Sequence, residues 1–392
     1  MPLFVQEKEV IFTGVFAMNR HIFLYGFSIF SMFFGSGNLV FPIMVGVNNS
    51  DNWLAGFCGF FLTGIILPFL GLFVIKLYQG DYNKFFAQGG VIAKYAIPLF
   101  TLSLLGAFGV IPRCITVAHG GLEFLYNDIP LLAFSIIFCV LCYIVCLNDK
   151  IMFAILGKVL TPILLFFLLG LIIIGFYKGD SITASNEVFT NNFIDGFFRG
   201  YATMDLFASF FFASLIFKQI EALFPEKDNK SIIKAALGPS IFGAILLSII
   251  YLGFVYLGSH YKNLAHDLPG ELVLPAIANH LLGHNGALVI AIIIIFSCLT
   301  TAVALNSIYA KYLCSFSFIG DKRFPLVLFI STIASFAISL LDFDGIASIL
   351  GPLLDISYPG LIALTIMSIC TSSFHKLKIF IFYGITAMML IL

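Results

Sequence analysis

The residues able to do chemistry in this chain of 392 residues lie inside apolar runs, where polar groups are costly. Between about Ile22 and Val47 the run is interrupted by Gly35-Ser36-Gly37-Asn38-Leu39-Val40-Phe41-Pro42. A run of that length can cross a bilayer, which takes ~20 apolar residues. Yet glycine costs about 1 kcal/mol and proline about 3 kcal/mol in a helix interior. The ring of Pro42 also clashes with the carbonyl four residues back, at Asn38. Two half-helices joined by a short unwound segment are expected. Free amides opening the second half suit a carboxylate. Free carbonyls ending the first suit an ammonium group or a metal cation. A glycine-rich helix-packing face is the competing explanation, but polar Asn38 and helix-breaking Pro42 favour the break.

Three ionisable residues fall inside other apolar runs: Arg113, Asp205 and Asp355. Each costs ~2.5–3.5 kcal/mol at the centre of an inserting helix, so such groups face the protein interior or a water path. They are candidates for gating or for a cation-responsive charge, or else for structural ion pairs. Ser297, Thr300 and Thr301 are spaced i, i+3, i+4 and share one helix face. Such hydroxyls often bond only to their own helix carbonyls. Cys139, Cys142 and Cys146 share a face as well, without further ligands for a metal, and read as small buried apolar residues.

These groups must be positioned by membrane helices. The chain is 60% hydrophobic and 10% charged, with mean hydropathy +1.07, which describes a polytopic membrane protein and no soluble domain. Lys plus Arg equals Asp plus Glu at 20 each, which argues against nucleic acid as a partner. Eleven apolar spans are expected, at about 22–47, 53–78, 96–118, 130–147, 151–177, 197–217, 237–258, 286–310, 325–341, 345–371 and 377–392. Of the 20 Lys and Arg, only Lys178, Arg199 and Lys262 fall on one side of these spans; the rest, apart from Arg113, fall on the other, which is therefore cytoplasmic. The N-terminal segment 1–21 lacks the pattern of a cleavable signal and lies inside. Spans 22–177 and 197–371 form two five-helix halves of opposite orientation, followed by an additional helix at 377–392. An inverted repeat of this kind places its site between the first helices of the two halves. The sixth span should therefore also break at mid-depth, within Gly200-Tyr201-Ala202-Thr203-Met204-Asp205. No metalloprotease, phosphate-loop or nucleophile-elbow motif stands out.

The segment Phe33–Pro42 resembles the first-helix signature of the bacterial branched-chain amino acid:cation symporter family. The resemblance continues at Ile111-Pro112-Arg113, at Gly200–Asp205 and at Cys298-Leu299-Thr300-Thr301-Ala302, in order from about residue 21 to 371. It implies the leucine-transporter fold: an all-α polytopic bundle with a five-plus-five inverted repeat and broken first and sixth helices. It further implies import of leucine, isoleucine or valine through the bacterial inner membrane by alternating access, with no organic cofactor. Amides from Gly35, Ser36, Gly37, Asn38 and Leu39 would take the substrate carboxylate. Backbone from Tyr201 through Thr203 to Asp205 would take the amino group, with Phe207 shaping the side-chain pocket. By the same resemblance, the carbonyls of Ser31, Phe34 and Ser297 and the hydroxyls of Thr300 and Thr301 would cage sodium as the coupling ion. A proton-coupled carrier of another small neutral amino acid, working through Asp205 or Asp355, is the alternative, followed by a membrane-embedded enzyme. Relatives usually have twelve spans, so a final helix is expected to be missing here.

Overall fold

The computed structural model describes residues 22–126, 128–148, 160–179, 188–223, 229–316, 319–371 and 374–391. The expected N-terminal segment 1–21 and the first part of the fifth span, 151–159, lie outside them. All regular structure among the described residues is helical. In chain order the helices are α1 Ile22–Phe33, α2 Ser36–Asn49, α3 Trp53–Phe61, α4 Leu67–Leu77, α5 Tyr82–Phe86, α6 Val91–Leu105, α7 Val110–Glu123 and α8 Leu131–Cys146. There follow α9 Thr161–Lys178, α10 Phe189–Ala202, α11 Asp205–Leu223, α12 Asn229–His260, α13 Lys262–Ala265, α14 Gly270–Cys314, α15 Phe324–Ser339, α16 Asp342–Cys370 and α17 His375–Ile391. Among the described residues, seven helical stretches are long and apolar enough to cross a membrane, or eight with the bent pair α10–α11, and the short α5 and α13 lie between the expected spans.

The first break is tighter than Pro42 suggests. Only Phe34 and Gly35 separate α1 from α2, and Pro42 sits inside α2. Two residues suffice because Gly35 is extended, at φ −117° and ψ −155°. Its amide donates to the Phe33 carbonyl at 2.8 Å and to Asn38 Oδ1 at 3.3 Å. Asn38 thus caps the break that it helps to create, and Pro42 removes one helical hydrogen bond without ending the helix. The second break lies where expected, at Thr203 and Met204, and bends α10 against α11 by 44°. Met204 is a buried non-glycine residue at φ +64°, a left-handed conformation that the surrounding structure must hold in place. The sixth span starts earlier than the apolar pattern indicates, at Phe189, because Asn191, Asn192 and Asp195 belong to its outer turns.

Two further interruptions were not expected. The third span pauses between α6 and α7, at residues 106–109. The eighth span is continuous with an outer helix through a kink at Gly283, φ +70°.

Small residues let these helices approach closely. A Cβ on Gly196 of α10 would stand 1.9 Å from the Gly56 carbonyl of α3. One on Gly258 of α12 would stand 2.0 Å from the Ile43 carbonyl of α2. In lipid, where no hydrophobic force drives helices together, such backbone contact is a main source of association. The interior is aromatic: Phe34 stacks on Phe30 at 4.8 Å, and Phe60 meets Tyr251 edge-on at 5.4 Å. The outside carries the lipid-facing residues, including Phe166, Ile137 and Phe380. On the basic side, buried Lys76 of α4 donates to the Ala236 carbonyl of α12 at 2.9 Å and to Ser240, joining those two helices.

Candidate functional site

The two breaks face each other. A Cβ on Gly37 would lie 3.1 Å from Cα of Thr203, so the backbones of α2 and the α10–α11 junction are nearly in contact. Across this contact Asn38 Nδ2 donates to Asp205 Oδ2 at 2.6 Å and to the hydroxyl of Tyr251 on α12. Asp205 opens α11, where a carboxylate is favoured by the helix dipole. Thr203 supports that start, its hydroxyl accepting the Asp205 amide at 3.3 Å and donating to the Gly200 carbonyl at 2.8 Å. Asn38, Asp205 and Tyr251 are all buried.

A narrow cavity opens at this junction, lined among others by Gly35, Ser36, Gly37, Asn38, Thr203 and Asp205. Of the residues expected to touch a substrate, these six therefore share one space. Leu39 is buried one turn along α2, outside that lining. Tyr201 and Phe207 are buried to one side, each with its ring 4.6 Å from that of Tyr358 on α16. Thr301 also lines the cavity.

Two hydroxyls of the eighth span meet the end of α1. The Phe34 carbonyl, left without a helical partner by the break, accepts Ser297 Oγ at 2.7 Å and Thr301 Oγ1 at 3.4 Å. Thr300 Oγ1 donates to the Ser297 carbonyl at 2.8 Å. Ser31 lines a second cavity together with Ser297, Thr300 and Thr161 of α9. All these donors are neutral oxygens. A hydroxyl that now donates to a carbonyl can turn its proton away, leaving both oxygens to a hard cation. Neutral oxygens of this kind suit a hard monovalent cation better than a divalent one, which draws on carboxylates.

The remaining charges separate. Arg113 is buried on α7, its Nη1 donating to the Ala202 carbonyl at 2.7 Å. That places it at the second break rather than snorkelling outward. Asp355 is exposed on α16, within electrostatic reach of Tyr201 but outside the buried cluster. Among the described residues no group of three or more His, Cys, Asp and Glu could hold a metal ion. Tyr251 and Tyr358 escaped the sequence reading. A tyrosine in an apolar run carries no spacing signal, and only the fold brings these two to Asn38 and Tyr201.

Helices that stop at mid-depth and turn their main-chain groups toward one cavity are the working parts of secondary transporters. The protein is of that class, a multi-pass membrane transporter and not an enzyme. Its fold matches Mhp1, a nucleobase-cation-symport-1 family transporter, in a closed conformation with bromovinylhydantoin bound, at TM-score 0.65 and 14% identity over 88% of this chain and 77% of that one. It also matches MhsT in complex with L-phenylalanine, at TM-score 0.62 and 16% identity over 93% and 96%. A Na+-coupled sialic acid symporter matches at TM-score 0.59 and 14% identity over 88% and 78%. These are leucine-transporter-type folds, and the five-plus-five arrangement with broken first and sixth helices is the one seen here. Residues 18–392 match the family described as branched-chain amino acid transport protein, and the chain belongs to that family. A protein named as a branched-chain amino acid carrier in Staphylococcus haemolyticus is 30% identical over 89% of this chain and 81% of its own length. A counterpart in Staphylococcus saprophyticus is 30% identical over 87% and 80%.

Proposed function

We propose that the protein imports leucine, isoleucine and valine with sodium across the bacterial inner membrane by alternating access, its N-terminus on the cytoplasmic side. The observation that carries this reading is the Phe34 carbonyl. It ends α1 one residue before the glycine that starts the substrate cavity, and it already receives two hydroxyls from α14. Ion and substrate would thus meet the same two-residue break. Sodium would be held by the carbonyls of Ser31, Phe34 and Ser297 and the hydroxyls of Thr300 and Thr301. The substrate carboxylate would lie at the amides that open α2, with its amino group toward Asp205 and the backbone at Tyr201 to Thr203. Phe207 and its aromatic neighbours would shape the side-chain pocket. Coupling requires that both ligands favour one closed state, since a ligand indifferent to the states shifts nothing.

The two halves, 22–177 and 197–371, would move against each other around this junction, with the helix at 377–392 outside the moving core. Arg113 at the second break and Asp355 on α16 would act as gating or charge-responsive groups. Proton coupling through Asp205 is a second reading, favoured by its complete burial at the junction. Substrate class is tested by competition. An apolar pocket separates chains differing by one methylene by only ~1–3 kcal/mol. Isoleucine and valine should therefore displace labelled leucine, while lysine and aspartate should not. Strong inhibition by lysine would contradict the assignment.

A further inference from the structure

Arg113 is 1% exposed, and only one of its nitrogens is engaged. Nη1 meets the Ala202 carbonyl, whereas Nε and Nη2 have no hydrogen-bond partner. No carboxylate lies within ion-pair distance of it among the described residues. Its guanidinium rests over the Phe41 ring at 5.5 Å, which is a weak substitute for hydration. Removing a charge from water costs several kcal/mol unless an opposite charge and hydrogen bonds compensate. An orphaned donor pair of this kind calls for a reason.

Its surroundings supply one. The next residue, Cys114, has its sulfur 3.6 Å from Ser36 Oγ, so this turn of α7 packs on the first turn of α2. Ala202, which Arg113 holds, immediately precedes the second break. A second orphan stands nearby: the Tyr358 hydroxyl is fully buried and faces the Leu206 amide without completing a hydrogen bond. Both orphans feel the charge of Asp205, which itself is occupied by Asn38 and not by Arg113. Positive and negative side chains are thus buried at one junction and kept from pairing.

We propose that Arg113 is a substrate ligand: its free Nε and Nη2 take the carboxylate of the amino acid together with the opening amides of α2, and the Tyr358 hydroxyl assists. Asp205 is then left for the ammonium group. Arginine suits the task because its planar fork meets both carboxylate oxygens and stays charged at any working pH. The two orphaned donors find their acceptor only when substrate arrives, so the α-carboxylate becomes a condition of binding rather than an accessory. An apolar amine of the same shape would leave the fork unpaired and be rejected. A pocket built to hydrogen-bond a group discriminates strongly against analogues that lack it.

This inference rests on the reading of the protein as an amino acid carrier, and the experiment separates the two. Purified protein in lipid nanodiscs is titrated with L-leucine and with isoamylamine, which is leucine without its carboxylate, in sodium buffer. Wild type, Arg113→Gln, Arg113→Lys and Tyr358→Phe are compared, with thermal unfolding checked for each. Wild type should prefer leucine over the amine by roughly 100-fold. Arg113→Gln should weaken leucine by roughly 100-fold and change isoamylamine by less than about threefold. Arg113→Lys keeps the charge without the fork and should lose roughly tenfold for leucine alone. Tyr358→Phe, the mildest change, should lose about fivefold for leucine alone. If Arg113→Gln folds and both probes weaken equally, Arg113 is structural and the proposal falls. It falls equally if neither weakens, or if Arg113→Gln does not fold and the other two variants treat the probes alike. Wild type that binds no leucine would sink the carrier reading itself, and the proposal with it.

Discussion

Asn38 links both breaks through one amide group. Its oxygen accepts the Gly35 amide, and its nitrogen donates to Asp205 and Tyr251. Asn38→Ala should therefore lower thermal stability by ~1–3 kcal/mol, the cost of orphaning buried partners. A melting temperature unchanged within error would show that the network is idle. At the ion cluster, Thr301→Ala removes one oxygen and leaves the Phe34 carbonyl to Ser297. We expect it to raise the sodium concentration needed for half-maximal uptake by roughly tenfold, the equivalent of one lost hydrogen-bonding ligand. Leucine affinity at saturating sodium should change less. Thr300→Ala should act in the same direction, and the double change to Val should abolish sodium stimulation. Much of this chemistry was legible beforehand. Asp205, Asn38 and the Ser297–Thr301 face stand out because polar groups in apolar runs are expensive. Tyr251 and Tyr358 were not legible, because a phenol in a membrane helix is amphipathic and ordinary until its neighbours are known.

The helical elements carry the second lesson. A break was expected across Gly35–Pro42, but it occupies two residues, and α2 runs through Pro42. Proline removes a donor without forcing a stop when neighbouring helices hold the backbone in line, and in membranes such helices are common. Glycine at the junction matters more. The Gly37 Cβ position faces backbone at Thr203, which cannot rotate away as a side chain can. Gly37→Leu should thus abolish leucine binding while the protein still inserts and is purified as a folded species. Unchanged leucine affinity in that variant would exclude α2 from the site. Gly258→Leu acts at a helix crossing instead. The Ile43 carbonyl lies 2.0 Å from the Cβ position, so α12 must move away from α2. A markedly lowered melting temperature is expected from size-exclusion-based thermal unfolding, and retention of the wild-type value would refute the close-approach argument. The interruption at residues 106–109 and the joined outer helix at Gly283 could not be read from hydropathy, which records depth and not direction.

For the whole molecule, an all-helical polytopic bundle followed from apolar run lengths, and the break in its sixth span from pairing that span with the first. What hydropathy cannot encode is which gradient does the work. The buried Asp205 and the neutral oxygen cluster sit on opposite sides of one break, and either could couple. Sodium is favoured because the fold brings two of its five expected ligands, the Phe34 carbonyl and the Thr301 hydroxyl, together across helices, with the Ser297 carbonyl and Thr300 hydroxyl one turn away on α14. The account stands on one measurement: labelled leucine uptake into proteoliposomes with an inward sodium gradient and an inward proton gradient imposed separately. The sodium gradient alone should drive accumulation above equilibrium, and the proton gradient alone should not. Accumulation that ignores sodium and follows the proton gradient would contradict the account and move the coupling to Asp205.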